Sequence, residues 1–197
     1  KKSLNGNFGD ELSIFITSHL INKDKYKLVF NRNNIPLNIV CIGSYIHRAV
    51  NNAYIFGSGI RIPNIENTLK KINLNICSLR GPLSRDILMK SKNIDIPEIY
   101  GDPALLLPKF YKPVLIDNLK DKIGIVPHKS NYDKYVNNID AVNFYLINPT
   151  DKWENVINYI YSCKEIISSS LHGLICSDAY NKPNIWLDEY KLQEGDF

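Results

Sequence analysis

The segment Glu165-Ile166-Ile167-Ser168-Ser169-Ser170-Leu171-His172-Gly173-Leu174-Ile175-Cys176 decides how the chain is to be read. Its apolar opening reads as a short buried strand, and its close as an apolar-periodic helix reaching Ala179-Tyr180. Three small hydroxyl residues join the two. A strand that feeds a helix in this way presents free backbone N–H groups and the positive end of a helix dipole, which suits an anion. His172 falls in the first turn, placed to donate to that anion or to move a proton. The segment predicts a phosphate or carboxylate site with an ionisable group already in place.

Outward from this segment, strand-like and helix-like stretches alternate, the pattern of an α/β fold with a mostly parallel sheet. Residues 9–21 read as a helix opened by Asn7-Phe8-Gly9-Asp10, and 27–30 as a short strand. Residues 39–46 and 53–60 are apolar runs rich in β-branched and aromatic residues. Residues 76–79 read as a strand before Arg80-Gly81-Pro82, and Pro82 suits the first turn of a helix ending near Lys90. Residues 108–121, with two prolines and mixed charge, read as a linker. Beyond it the pattern restarts, with strands at 122–126, 142–147, 166–167 and 184–187 and helices at 132–138, 151–163 and 171–180. In the second of these helices Trp153, Val156, Ile157, Ile160 and Tyr161 share one face. The expected architecture is two Rossmann-like α/β lobes, 1–114 and 115–197, with a cleft between them.

Composition narrows the functional classes. The apolar fraction of 44% and charged fraction of 22% are those of a globular protein. A net charge of +4, with its basic residues scattered, fits anionic small substrates or an anionic membrane nearby, but not nucleic acid. Cys41, Cys77, Cys163 and Cys176 lack C-x-x-C spacing and lie in apolar contexts, so they are read as buried free thiols in a reducing compartment. No run approaches the roughly 18 apolar residues that span a bilayer, and a cytoplasmic protein is expected. The chain opens at Lys1 without a methionine and reads as part of a longer protein, with its second lobe incomplete at the end.

Six motifs occur in one order: Asn7-Phe8-Gly9-Asp10-Glu11-Leu12-Ser13, Gly57-Ser58-Gly59, Arg80-Gly81-Pro82-Leu83-Ser84, Gly101-Asp102-Pro103-Ala104, Val126-Pro127-His128 and Ser169-Ser170-Leu171-His172-Gly173. The series, followed by Asp178-Ala179-Tyr180-Asn181-Lys182-Pro183, resembles the polysaccharide pyruvyl transferase family. The resemblance covers nearly the whole chain. It implies a two-lobed fold similar to GT-B glycosyltransferases, with the first lobe on the acceptor side and the second on the donor side. It also implies transfer of a pyruvyl group from phosphoenolpyruvate to two sugar hydroxyls as a cyclic ketal. The acceptor would be a glycan or a lipid-linked oligosaccharide, reached by peripheral contact with the inner membrane face.

Such a reaction needs anion donors, an acid, and a base for the hydroxyls. Arg80, between a strand and a helix, can grip a carboxylate or phosphate bidentately, or else form a structural salt bridge. Arg85, on the following helix, is expected to be structural. His172 is expected to contact phosphate and serve as acid. Ser169 and Ser170 cap the helix, donate to phosphate, or do both. Gly173 leaves room for a ligand or for the next strand. The resemblance makes Asp10 a cleft residue and candidate base, although an acidic residue at a helix start needs no function. Asp102 lies in a turn whose Asp-Pro chemistry is common, and His128 ends the first strand of the second lobe. Both join the substrate-binding candidates. His19 and His47 are read as structural or surface residues, and Tyr45, Tyr54 and Phe56 as core aromatics with stacking on sugar rings as the alternative. Gly57-Ser58-Gly59 lacks the third glycine of a dinucleotide fingerprint. No cluster has metal-site spacing, so neither metal nor cofactor is expected beyond the donor substrate.

Two rival readings share these features. One is a glycosyltransferase using a nucleotide sugar, with Glu189 recruited to the ribose. The other is a non-catalytic glycan-binding relative.

Overall fold

A computed structural model describes residues 6–22, 24, 37–61 and 66–189. The strand expected at 27–30 lies outside them. The described residues form two compact units, one made of 6–16 with 104–189 and the other of residues from 17–103. Each is an α/β unit built on a parallel sheet.

The three-stranded unit carries β1 (Leu37–Val40), β2 (Ala49–Ser58) and β3 (Leu74–Leu79) in the order β1-β2-β3. Helix α2 (Glu66–Leu69) precedes β3, and α3 (Pro82–Lys92) follows it. Helix α3 starts at Pro82, whose missing N–H costs nothing at a helix start, and ends on Asn93 in the left-handed region at φ 51°. The core collects Val40, Ile46, Ile55, Leu69, Leu79 and Leu88 from strands, helices and loop.

The four-stranded unit carries β4 (Ile123–Val126), β5 (Phe144–Leu146), β6 (Glu165–Ser168) and β7 (Asn184–Trp186) in the order β5-β4-β6-β7. Helices α4 (Tyr132–Val136), α5 (Trp153–Ser162) and α6 (Leu171–Ala179) connect them. Val156, Ile157 and Ile160 of the expected α5 stripe are fully buried.

Helix α1 (Phe8–Leu20) begins where Asn7 Oδ1 accepts the Gly9 N–H at 3.0 Å, a side-chain cap on the first turn. Its start belongs to the four-stranded unit rather than to the lobe of residues 1–114 expected from the sequence. The Phe8 N–H donates to Pro149 O at 3.0 Å, and the Phe15 ring lies 4.5 Å from that of Trp153.

The expected linker at 108–121 is likewise docked. Tyr111 Oη and the Val114 N–H both donate to Asn158 Oδ1 at 2.9 Å, and the Ile116 N–H donates to Ser162 Oγ at 2.9 Å. Two α5 side chains thus absorb backbone groups that a free linker would leave to water. Cys41, Cys163 and Cys176 are buried free thiols, whereas Cys77 is exposed because the period-2 alternation of β3 turns it outward. Burial pushes the Cys163 thiol up to about 11, which keeps it protonated. No helix among the described residues is long and apolar enough to cross a membrane.

Candidate functional site

In the four-stranded sheet the first strand, β4, lies between β5 and β6, so successive connections leave it in opposite directions. Ligands of open parallel sheets gather at the carboxyl ends of strands beside such a switch point. His128 follows β4 there, and Ser169 and Ser170 follow β6. Their proximity is direct: the His128 N–H donates to Ser169 Oγ at 2.9 Å. Ser169 Oγ donates in turn to Glu189 Oε2 at 3.2 Å, and the Tyr135 hydroxyl of α4 donates to Glu189 Oε1. The His128 Nδ1 atom is 2.8 Å from Ser130 Oγ.

The three serines divide their work. Ser168, which sequence reasoning passed over, is the structural one. Its Oγ donates to Val126 O at 2.8 Å and accepts the Ser170 N–H at 3.0 Å. Ser169 is tied to His128 and Glu189. Ser170 occupies the N-cap position of α6, yet its hydroxyl makes no capping hydrogen bond. Capping therefore does not account for the side chain of either Ser169 or Ser170. The first helical bond runs from the Leu174 N–H to Ser170 O at 3.2 Å, and a helix's first-turn N–H groups have no helical acceptors.

His172, 8% exposed, sits in that first turn against the start of α1. Its ring meets Phe8 edge-on, with centroids 6.4 Å apart and planes at 82°. A methyl group at Gly9 would lie 2.5 Å from His172 Cγ, so only glycine leaves the imidazole its place. The fold thereby brings the Asn7-Phe8-Gly9-Asp10 and Ser169-Ser170-Leu171-His172-Gly173 motifs together. Asp10 follows in the half-buried first turn of α1. Gly173 has a packing explanation: a side chain there would press on Ser168 and approach Val126 Cβ to 3.1 Å.

The three-stranded unit assembles its own motifs at the carboxyl edge of its sheet. Arg80, 9% exposed, leaves β3 and donates through Nη2 to Ser44 Oγ at 2.5 Å, in the loop after β1. Its guanidinium lies over Gly59, where an added methyl would come within 2.8 Å of Arg80 Cζ. Ser58 Oγ donates to Gly43 O at 2.6 Å, and the Gly59 N–H donates to the same carbonyl at 3.0 Å. Gly57 adopts φ +72°, and a Cβ there would stand 2.6 Å from Gly101 O. The Gly101 N–H is anchored to Leu79 O at 3.0 Å, and Asp102 beside it is 5% exposed. The loop after β1 and the Gly59 turn thus flank one buried guanidinium, and the Gly101-Asp102 turn packs against Gly57. Ser44 is the partner that the sequence did not single out; its only signal was its place just after a strand and a glycine.

Other expectations resolve more simply. Arg85 is structural: Nε donates to Ile96 O at 2.6 Å, and the guanidinium pairs with Asp95 and Glu98 at 3.3 and 3.6 Å. His19 is exposed at the end of α1. Burial, reinforced by the Arg48 and Arg61 charges, holds His47 below the ordinary histidine range. Tyr54 is 56% exposed rather than core, since it points outward from β2. Tyr45 lies beneath Arg48, 5.7 Å from its Cζ. The Glu189 carboxylate, a ribose-binding candidate in the rival reading, accepts from Tyr135 and Ser169.

Each unit therefore holds a buried cation or imidazole at the carboxyl edge of a parallel sheet, an arrangement chemically suited to an oxyanion. The sequence profile of the polysaccharide pyruvyl transferase family matches residues 1–189, and the chain belongs to that family. It is 25% identical over 197 residues to the succinoglycan biosynthesis protein ExoV of Rhizobium meliloti (strain 1021), covering 92% of this chain and 56% of ExoV. It is also 25% identical over 201 residues to the uncharacterized protein L143 of Acanthamoeba polyphaga mimivirus, covering 96% of this chain and 67% of L143. The chain thus spans between about half and two thirds of the length of these relatives. No solved structure matches it.

Proposed function

We propose that the protein transfers a pyruvyl group from phosphoenolpyruvate to two hydroxyls of a sugar in a surface-polysaccharide precursor, closing a cyclic ketal. The observation that carries the reading is the junction of β6 and α6. It offers a buried imidazole, a hydroxyl not spent on capping and first-turn N–H groups at one sheet edge. Family membership and the name of ExoV, a succinoglycan biosynthesis protein, support a glycan acceptor.

In this proposal Ser169, Ser170 and the α6 N-terminus receive the phosphate, and His172 in its protonated form delivers a proton to the donor's methylene carbon. The cationic carbon that results is attacked by one sugar hydroxyl, which gives up its proton to Asp10. Phosphate then leaves, and the second hydroxyl attacks the same carbon and closes the ring. One proton has been gained at the methyl group, two have been lost from hydroxyls, and the balance departs with phosphate. Arg80 supplies a guanidinium for an anionic substrate group, while His128 and Asp102 line the binding surfaces of their own units. Side-chain acid–base and electrostatic chemistry suffices, so no metal or further cofactor enters the scheme.

The proposal extends to a GT-B-like fold class, for which the parallel sheet in each unit is the support. It places the protein in the cytoplasm, at the inner membrane face, where its positive charge would favour anionic lipid. The test is incubation of the intact protein with phosphoenolpyruvate and oligosaccharide acceptors, followed by phosphate assay and carbon NMR of the product. A quaternary ketal carbon and one phosphate released per ketal are expected. Sugar transfer from a nucleotide sugar, with phosphoenolpyruvate unconsumed, would replace this reading with glycosyl transfer.

A further inference from the structure

Glu189 stands three residues beyond the end of β7, outside the residues to which the proposed reaction gives roles. Its carboxylate nevertheless reaches two separate elements. One oxygen takes the Tyr135 hydroxyl from α4, and the other takes the Ser169 hydroxyl from the β6–α6 loop. Ser168 already braces Ser170, its Oγ accepting the Ser170 N–H at 3.0 Å and donating to Ser170 O at 2.9 Å. Ser169 is held less closely by its backbone, whose N–H reaches Val126 O at 3.2 Å, at the long end of the hydrogen-bond range. The side-chain tie to Glu189 therefore does much to set how Ser169 is turned.

We infer that Glu189 is a positioning residue, a strut between Tyr135 and Ser169 that orients Ser169 in the β6–α6 loop toward an oxyanion. Resting on the proposed function, that oxyanion is the phosphate of phosphoenolpyruvate. Electrostatics separates this role from direct binding. A carboxylate beside an anion site repels the ligand, so its charge opposes affinity while its geometry favours it. The strut is durable in alkali, because burial and the Glu189 carboxylate push the Tyr135 phenol up to about 12 and keep it a donor.

The two contributions come apart in a pair of substitutions. Glu189→Gln removes the charge but keeps the reach: the amide oxygen accepts from Tyr135, and the amide nitrogen donates to the second lone pair of Ser169 Oγ. Glu189→Ala removes both. Calorimetric titration of the intact protein with phosphoenolpyruvate, and in parallel with inorganic phosphate, reads the difference. Affinity is expected to fall about tenfold in Glu189→Ala and about threefold in Tyr135→Phe, the size of one or two lost hydrogen bonds. In Glu189→Gln it should match or slightly exceed that of the unaltered protein. The Tyr135→Phe/Glu189→Ala double variant should bind no worse than Glu189→Ala alone, because the strut is already gone.

Equal affinity in Glu189→Ala and the unaltered protein would overturn the inference. So would a Glu189→Gln variant as impaired as Glu189→Ala, which would mean that the charge itself acts, as a base or as a ligand group. Melting temperatures guard against a folding defect: a loss of affinity that merely tracks a lower melting point across the four variants also counts against positioning. The failure of the two ideas is distinguishable. If the unaltered protein binds phosphate but not phosphoenolpyruvate, pyruvyl transfer fails while the Glu189 series is still scored on phosphate. Binding of neither overturns both.

Discussion

Gly9 and Gly59 do the same steric work in different units, and the contrast between them shows how each site is built. Both leave room for an ionisable side chain at the carboxyl edge of a parallel sheet. Gly9 faces the root of the His172 side chain, where a methyl group would meet Cγ at 2.5 Å and Cβ at 3.0 Å. A buried imidazole rooted in a helix and backed by Phe8 has nowhere to retreat. Gly59 faces the outer end of Arg80, a long side chain whose terminal torsions can turn aside. The first site is rigid because its parts are packed, and the second is held in shape by hydrogen bonds to a soft side chain.

The largest effect that would break this comparison is expected at Gly9. Gly9→Ala should lower unfolding stability by about 1–3 kcal/mol, the usual cost of overpacking a filled site. Adding His172→Ala should restore part of it, and a denaturant-based double-mutant cycle measures the coupling. Additive effects would mean that the glycine serves something other than the imidazole.

Gly59→Ala is expected to cost less than about 1 kcal/mol, since the guanidinium can move, yet to weaken anion binding about tenfold by moving it away from Ser44. A stability loss as large as that at Gly9 would erase the distinction drawn between the sites. Arg80→Lys sharpens it: the ammonium cannot reproduce the planar fork, so affinity should fall by a similar factor with stability nearly unchanged.

The smallest and most distributed effect concerns pH. Tyr111, Tyr132, Tyr135, Tyr145 and Tyr180, all in the four-stranded unit, are pushed above the ordinary tyrosine range, chiefly by burial. Tyr135 and Tyr145 reach about 12. The folded unit then holds protons that an unfolded tyrosine releases near pH 10, so its extra stability is complete below pH 10 and is lost between about 10 and 12. Amide hydrogen exchange across that window, corrected for its intrinsic pH dependence, should show the four-stranded unit opening before the three-stranded one. Simultaneous opening would contradict this assignment.

The same contrast explains what could be read in advance. The β6–serine–α6 junction, the α5 stripe and the position of His172 were legible because short-range periodicity and helix-start chemistry determine them. The guanidinium of Arg80 was legible from its place after a strand. The reason for Gly9 was not, since its partner lies at the far end of the sequence and only the folded chain brings them together. Nor was the docking of residues 111–116, which depends on Asn158 and Ser162 of α5 accepting backbone N–H groups. The serines illustrate the limit best. Three identical residues in a row carry no mark of which one braces the strand, which one meets Glu189 and which one keeps its hydroxyl from the cap. Tyr135 and Glu189, single residues in unremarkable surroundings, left no signal of their pairing.

The central proposal is that the β6–α6 junction receives phosphoenolpyruvate, and calorimetric titration tests it most directly. Phosphoenolpyruvate and a panel of nucleotide sugars would be titrated into the intact protein, with His172→Ala as companion. Saturable binding of phosphoenolpyruvate alone, lost in His172→Ala, is the expected result. Binding of a nucleotide sugar in its place, or phosphoenolpyruvate binding that survives the substitution, would contradict the account.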